Sequence, residues 1–232
     1  MISKNKIKLI RSLGTKKGRE KHGLFVAEGL KTVGDLLAEG FEFEEIIDDI
    51  CDVQQVTFQQ TPQPALGVFR IKEWAMPEDV SGKLVLALDD VQDPGNLGTI
   101  IRIADWFGIE HIFCSKNTVD CWSPKVVQAT MGSISRVAVH YVDLAAWLQS
   151  LPATTPIYGT LLNGENIYDE TLTTDGVIVL GNEGKGISEK VERLVGHRLF
   201  IPTFCTSVHK PDSLNVAIAT SIVCSEFRRR GK

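Results

Sequence analysis

The stretch LVLALDDVQDPGNLGTIIRIADWFG, Leu84–Gly108, passes from a largely apolar run, through Pro94-Gly95-Asn96-Leu97-Gly98, into a pattern of helical period. A short continuous apolar run reads as a strand covered on both faces, the kind that a parallel sheet buries between layers of helices. Ile100, Ile103, Ala104 and Phe107 fall at i, i+3, i+4 and i+7 and predict the buried stripe of a helix, with Arg102 and Asp105 off that stripe. Asn96 is the expected N-cap and Gly108 the expected stop. A glycine-bearing loop between a buried strand and a helix N-terminus commonly holds a phosphate. This one has neither the G-x-G-x-x-G nor the G-x-x-x-x-G-K-S/T spacing. A ligand-free reading also accounts for it: Asn96 caps, Gly95 and Gly98 turn, and Arg102 pairs with Asp105.

Working outward, further apolar runs alternate with helical patterns from Leu84 onward: HIFCS, RVAVHYV, PIYGTLL, GVIVLG and RLFIP. The expectation is an α/β domain over residues 82–232 with a parallel sheet and flanking helices, whose ligands bind beyond the carboxyl ends of the strands. Before it, a short amphipathic helix from Lys4, a strand near LFVAEG, a helix over LKTVGDLLAEG and strands near FEEIID and LGVFRI predict a small α/β domain over residues 1–75. Pro62, Pro64, Pro77 and the polar PEDVSGK run mark a link at about residues 72–82. No repeat or low-complexity tract interrupts this plan.

With 43% apolar residues in 232, the chain can build a real core. No run approaches the roughly 18 apolar residues of a membrane span, and the N-terminus lacks a signal-peptide core, so a cytoplasmic protein without membrane contact is expected. Five cysteines without C-x-x-C and five histidines without H-x-x-x-H indicate neither a disulfide framework nor a metal site. The net charge of -4 conceals a polarity. Residues 1–23 hold Lys4, Lys6, Lys8, Arg11, Lys16, Lys17, Arg19 and Lys21 against Glu20 alone, the chain ends Arg228-Arg229-Arg230-Gly231-Lys232, and Asp35–Asp52 carries eight acids and no base. Such blocks are commonly solvated faces. Two basic ends on an acidic body also fit a localised phosphate-binding surface, with Lys16, Lys17, Arg19 and Lys21 as its RNA-binding candidates.

Two later loops resemble the first in placement. VIVLGNEGKGIS, Val177–Ser188, ends a strand in three closely spaced glycines with Glu183 among them; Glu183 also fits a first-turn acid of the following helix. FIPTFCTSVHKPDSLNVAIATSIVCSEFRRR runs from a strand through a ten-residue loop into a helix from about Ser213. There Leu214, Ala217, Ile218, Ser221 and Ile222 form the predicted apolar face and Asp212 or Ser213 the predicted cap, which leaves Asn215 unexplained.

The order N-x-G-x-x-x-R, then G-x-E-G-x-G, then S-L-N opening the last helix, resembles the three motifs of the SpoU (TrmH) branch of the SPOUT class of RNA methyltransferases. HGLFVAEGLKTVGDLLAEG resembles the start of the L30e-like substrate-binding domain that precedes the catalytic domain in many members. The resemblance implies a deep trefoil knot in the C-terminal domain, a family exception to the rule against threaded chains. It also implies transfer of a methyl group from S-adenosylmethionine to a ribose 2'-hydroxyl of structured RNA, ribosomal RNA ahead of transfer RNA. The motifs carry the cofactor positions to Leu180, Gly181, Ile201 and Leu214, and the catalytic ones to Asn96, Arg102, Glu183, Ser213 and Asn215. Arg102 is then expected to reach the active site of a partner subunit, which makes the working unit a homodimer. Transfer from a sulfonium to a hydroxyl needs in-line approach and relief of a proton, with no metal. A guanidinium with a pKa of about 12 or more is a poor base, so a phosphate-paired Arg102 that stabilises developing alkoxide is as good a reading as general base.

One departure stands out: the family commonly has a shorter, glycine-containing link between I-P and S-L-N than TFCTSVHKPD. Two other functions share these features, an inactive RNA-binding or assembly protein of the same fold and a base methyltransferase of the same class.

Overall fold

The computed structural model describes residues 2–207 and 212–230. Residues 208–211 of the long link, and the basic end at 231–232, lie outside the described residues.

The first unit comprises α1 (Lys4–Ser12), α2 (Lys16–His22), β1 (Leu24–Glu28), α3 (Leu30–Ala38), β2 (Phe43–Ile47), α4 (Ile50–Val56) and β3 (Leu66–Arg70). Its strands form an antiparallel sheet in the order β1-β3-β2. Where one N-terminal helix was expected there are two. The chain stops at Leu13-Gly14, and the Thr15 hydroxyl accepts from the Gly18 amide at 3.1 Å to start α2.

The second unit comprises β4 (Leu84–Asp89), α5 (Pro94–Trp106), β5 (His111–Ser115), α6 (Pro124–Thr130), β6 (Ala138–Val142), α7 (Leu144–Ser150), β7 (Ile157–Asn166), β8 (Gly176–Gly181), α8 (Glu189–Glu192), β9 (His197–Phe200) and α9 (Val216–Arg230). The six strands are parallel in the order β6-β5-β4-β8-β7-β9, as the uninterrupted apolar runs predict. Central β4 is buried at every position.

Two helix starts differ from expectation. Asp93, not Asn96, caps α5: its carboxylate accepts from the Asn96 amide at 2.8 Å, and Pro94 takes the first helical position, where its missing N–H costs nothing. The stop at Gly108 holds. Its φ is +63°, and the bonds Gly108 N–H to Asp105 O and Ile109 N–H to Ala104 O close a Schellman end. The buried face of α5 is Leu97, Gly98, Ile100, Ile101 and Ala104, with Ile103 and Phe107 half-buried. On α9 neither Asp212 nor Ser213 is the cap. Asn215 is, accepting from the Ala217 and Ile218 amides at 3.0 and 3.2 Å. The buried face is Val216, Ala217, Thr220, Val223, Cys224 and Phe227, with Phe227 edge-on to Tyr158 under the sheet. The helix is thus rotated from its predicted phase, leaving Leu214 48% and Ile218 53% exposed.

No helix or strand occurs in residues 71–83 between the two sheets, yet one apolar core joins the units. Phe25 lies 4.5 Å from Trp122, centroid to centroid, with Phe41 packed edge-on to both. Beside this cluster Arg19, 3% exposed, gives two N–H bonds to Asp120 at 2.9 and 2.6 Å and a third to Leu13 O at 2.7 Å.

Candidate active site

In a parallel sheet with helical crossovers, strand carboxyl ends and helix N-termini share one rim. Here β4, β8 and β9 deliver Asp89-Asp90, Gly181-Asn182 and Ile201-Pro202 to that rim, and α5 and α9 start there.

Three predicted residues meet in one hydrogen-bonded relay. Asn215 Nδ2 donates to Asn96 Oδ1 at 2.9 Å, and Asn96 Nδ2 donates to Glu183 Oε1 at 2.6 Å. Both ends fix its polarity. The Asn215 oxygen is committed to the α9 amides, so its NH2 must face Asn96, and a carboxylate can only accept. Asn96 keeps one N–H and one acceptor lone pair for a ligand.

Glu183 is not in the first turn of a helix. It sits in a tight turn closed by the Asn182–Gly186 backbone pair, and α8 begins only at Glu189. Asn182 holds this turn. Its Oδ1 accepts from Gly184 and Lys185 amides at 2.9 and 3.0 Å, and its Nδ2 donates to Asp90 O at 2.8 Å, where Asp90 has φ +63°. Asp89, buried, accepts from the Ser188 amide at 2.8 Å and ties the far side of the turn to β4. A Cβ on Gly181 would strike the Gly186 and Ile187 backbone, so only glycine lets the turn fold back this closely. Asn182 and Asp89 were missed from the sequence. An Asn two residues before a glycine is a local sign of such a turn, but its tie to Asp90 is not.

The relay does not include Arg102 or Ser213. Both side chains are exposed, without a hydrogen bond or ion pair to another described residue. Asp105, the expected partner of Arg102, is instead held by Arg136 at 2.7 Å, and that pairing lowers its pKa against the opposing effect of burial. Six residues at about 1.5 Å each place Arg102 about 9 Å along α5 from Asn96 and on another face. Of the cofactor candidates, Leu180 is buried, Gly181 and Ile201 are half-buried and Leu214 is exposed. The backbone of residues 201–206 makes no main-chain hydrogen bond among the described residues. Apart from the Cys205 amide, which donates to Thr203 Oγ1 at 3.2 Å, that segment therefore offers free amides and carbonyls beside apolar Ile201 and Leu214, the neutral lining that an adenosyl group requires.

Lys16, Lys17 and Lys21 are exposed on α2, Lys16 lying 3.9 Å from Glu20. Arg19 is a correction: buried against Asp120, it cannot meet RNA and instead fastens α2 to the second unit. Burial raises the thiol pKa values of Cys114, Cys121 and Cys224, the last to about 12, which keeps these three protonated and unreactive at neutral pH. Among the described residues no group of three His, Cys, Asp or Glu side chains is placed to hold a metal ion, and no helix is long and apolar enough to cross a membrane.

Residues 83–225 match the SpoU rRNA Methylase family, and residues 4–56 match the MRM3-like substrate binding domain. A 23S rRNA (guanosine(2553)-2'-O)-methyltransferase of Bacillus subtilis is 29% identical, with 96% of each chain covered. Among solved structures, a TrmH-family protein from Porphyromonas gingivalis superposes with a TM-score of 0.88 at 39% identity over 100% of both chains. An AdoMet-bound rRNA methyltransferase from Sinorhizobium meliloti superposes at 0.85, with 30% identity over 99% of this chain and 96% of that one.

Proposed function

The chain belongs to the SpoU rRNA methylase family, and from that premise we propose that it methylates a ribose 2'-hydroxyl of ribosomal RNA. The observation that carries this reading is the Asn215–Asn96–Glu183 relay at the carboxyl ends of a parallel sheet. When bound, S-adenosylmethionine supplies an electrophilic methyl group. Leu180, Gly181, Ile201 and Leu214 would hold it, through backbone groups and apolar walls. The chain's own task is to bring a hydroxyl in line and relieve it of its proton. Glu183 orients the Asn96 amide, whose remaining N–H and lone pair hold the ribose; Ser213, two residues before Asn215, adds a neutral hydrogen bond. Arg102 stabilises the developing alkoxide.

Arg102 is exposed on another face of α5 from Asn96 and bonds to no relay residue, which supports its serving the site of a partner subunit. Exposed apolar side chains on these helices fit a homodimer: Trp106 at the end of α5 is 85% exposed and Ile218 in the first turn of α9 53% exposed. Residues 1–75 act as the RNA substrate-binding domain, with Lys16, Lys17 and Lys21 on phosphates, and 82–232 as the catalytic domain. The C-terminal strands and α9 are taken to form the knot of the family. The working place is the cytoplasm, where ribosomal RNA is met.

The test is to incubate the protein, S-adenosylmethionine and ribosomal RNA from cells lacking the gene in chelator-containing buffer, then digest to nucleosides. A 2'-O-methylnucleoside that Asn96→Ala fails to form supports the reading. Base methylation alone points to the other chemistry of the class, and no methylation to an assembly protein.

A further inference from the structure

Two lysines outside the proposed catalytic set flank the relay. Lys185 tops the Asn182–Gly186 turn, its own amide bonded to Asn182 at 3.0 Å, two residues from Glu183. Lys125 opens α6, which crosses α5 at its start. Gly98, two residues after Asn96, sits so close that a Cβ there would lie 2.7 Å from the Val126 carbonyl oxygen, next to Lys125. Both lysines are exposed, and neither has an ion pair or hydrogen bond from its ammonium to another described residue. Elsewhere on the rim Arg19 is bound by Asp120 and Lys190 lies 3.7 Å from Asp143. The mouth itself carries Asp90, Asp93 and Glu183, a lining that repels a polyanion unless cations offset it. Lys125 also lies on the way from the first unit to the relay, since Arg19 of α2 is fastened to Asp120, five residues before it.

We infer that Lys125 and Lys185 clamp the RNA phosphates on either side of the target ribose and continue the path begun by Lys17 and Lys21. The inference rests on the 2'-O-methyltransferase reading and adds to it the residues that position the substrate backbone. Lysine suits this task as a mobile point charge on phosphate, and both anchors are rigid: a doubly bonded turn and a helix start wedged against α5.

The experiment uses full-length Lys125→Gln, Lys185→Gln, the double variant, the Lys→Arg versions of both, and Lys83→Gln at the opposite end of β4. Binding to a defined RNA hairpin transcript is followed against salt, S-adenosylmethionine binding by calorimetry, and methyl transfer to ribosomal RNA by kinetics. Each Lys→Gln is expected to flatten the log-log salt slope by about 0.7–0.9, and the double variant by about twice that. The KM for RNA rises severalfold, kcat at saturating RNA stays within about twofold, cofactor affinity is unchanged, and arginine restores the slope. An unchanged slope and KM in the double variant overturns the clamp, as does an equal loss from Lys83→Gln, which marks a general charge effect. Failure of the underlying reading looks different: the unaltered protein then forms no 2'-O-methylnucleoside whatever the slopes.

Discussion

Asn215 donates its side-chain amide to the Asn96 carbonyl oxygen across 2.9 Å, while its own oxygen accepts from two amides of the α9 first turn. One side chain both caps a helix and sets the direction of the relay to Glu183.

The two jobs separate by substitution. Asn215→Asp keeps an acceptor for the cap but has no N–H to give, and it turns oxygen toward oxygen at Asn96. Stability in urea should stay close to wild type while kcat falls about 10-fold or more through misplacement of the reacting groups. Asn215→Ala should lose activity and about 1 kcal/mol of stability together. Full kcat in Asn215→Asp would show that the Asn215–Asn96 bond positions nothing.

Arg19 and its neighbours on α2 make opposite predictions. Arg19→Ala strands Asp120 in a largely buried setting and should cost about 3–5 kcal/mol. Lys17→Ala and Lys21→Ala should leave stability within about 0.5 kcal/mol and reduce the salt slope of RNA binding by about 0.7–0.9 each. Urea melts and salt titrations of the same proteins check both, and a fully stable Arg19→Ala would return that residue to the surface.

His111 and His140 meet ring to ring, Nδ1 to Nε2 at 3.1 Å, with Phe113 stacked on His140 and Trp147 on Phe113. Burial, with the neighbouring His111, depresses His140 to about 4; burial, then Lys83, lowers His111 against the pull of Glu110. Depressed histidines bind fewer protons folded than unfolded. Stability is therefore full above about pH 6.5 and declines as pH falls toward 4, His140 alone accounting for about 2–3 kcal/mol. His140→Phe should flatten the profile between pH 6.5 and 4.5 in denaturant melts; an unaltered slope would assign the acid sensitivity elsewhere.

If Arg102 crosses the subunit boundary, Arg102→Ala and Asn215→Ala homodimers should each be nearly inactive while still dimerising. A heterodimer of the two holds one site with both lesions and one with neither. Differently tagged, co-expressed chains should recover up to about half the wild-type rate per dimer, if the sites act independently. Inactive heterodimers would place Arg102 in its own subunit's site.

Apolar periodicity and punctuation in the sequence by themselves determined the parallel sheet, a small α/β unit before it and the three loops at the rim; that the strands of the small unit run antiparallel came from the structure. These signals are local: a strand buried on both faces needs unbroken apolar residues, and a helix end needs a residue that tolerates positive φ, as Gly108 does. The α5 cap was misread as Asn96, although a proline favours the first helical turn and so points to Asp93 before it. Tertiary structure decided what depends on partners far along the chain. Charge alone could not tell Arg19 from Lys17, since its burial comes from Asp120, 101 residues away. The phase of α9 came from packing against α5 and Tyr158, and the joining of Asn96 to Glu183 and Asn215 came from strand order, which seats β8 beside β4 and lays α9 on α5. Residues 87 and 119 positions apart meet only once the sheet is assembled, because a hydrogen bond acts over about 3 Å and periodicity carries no information about which loops will come that close.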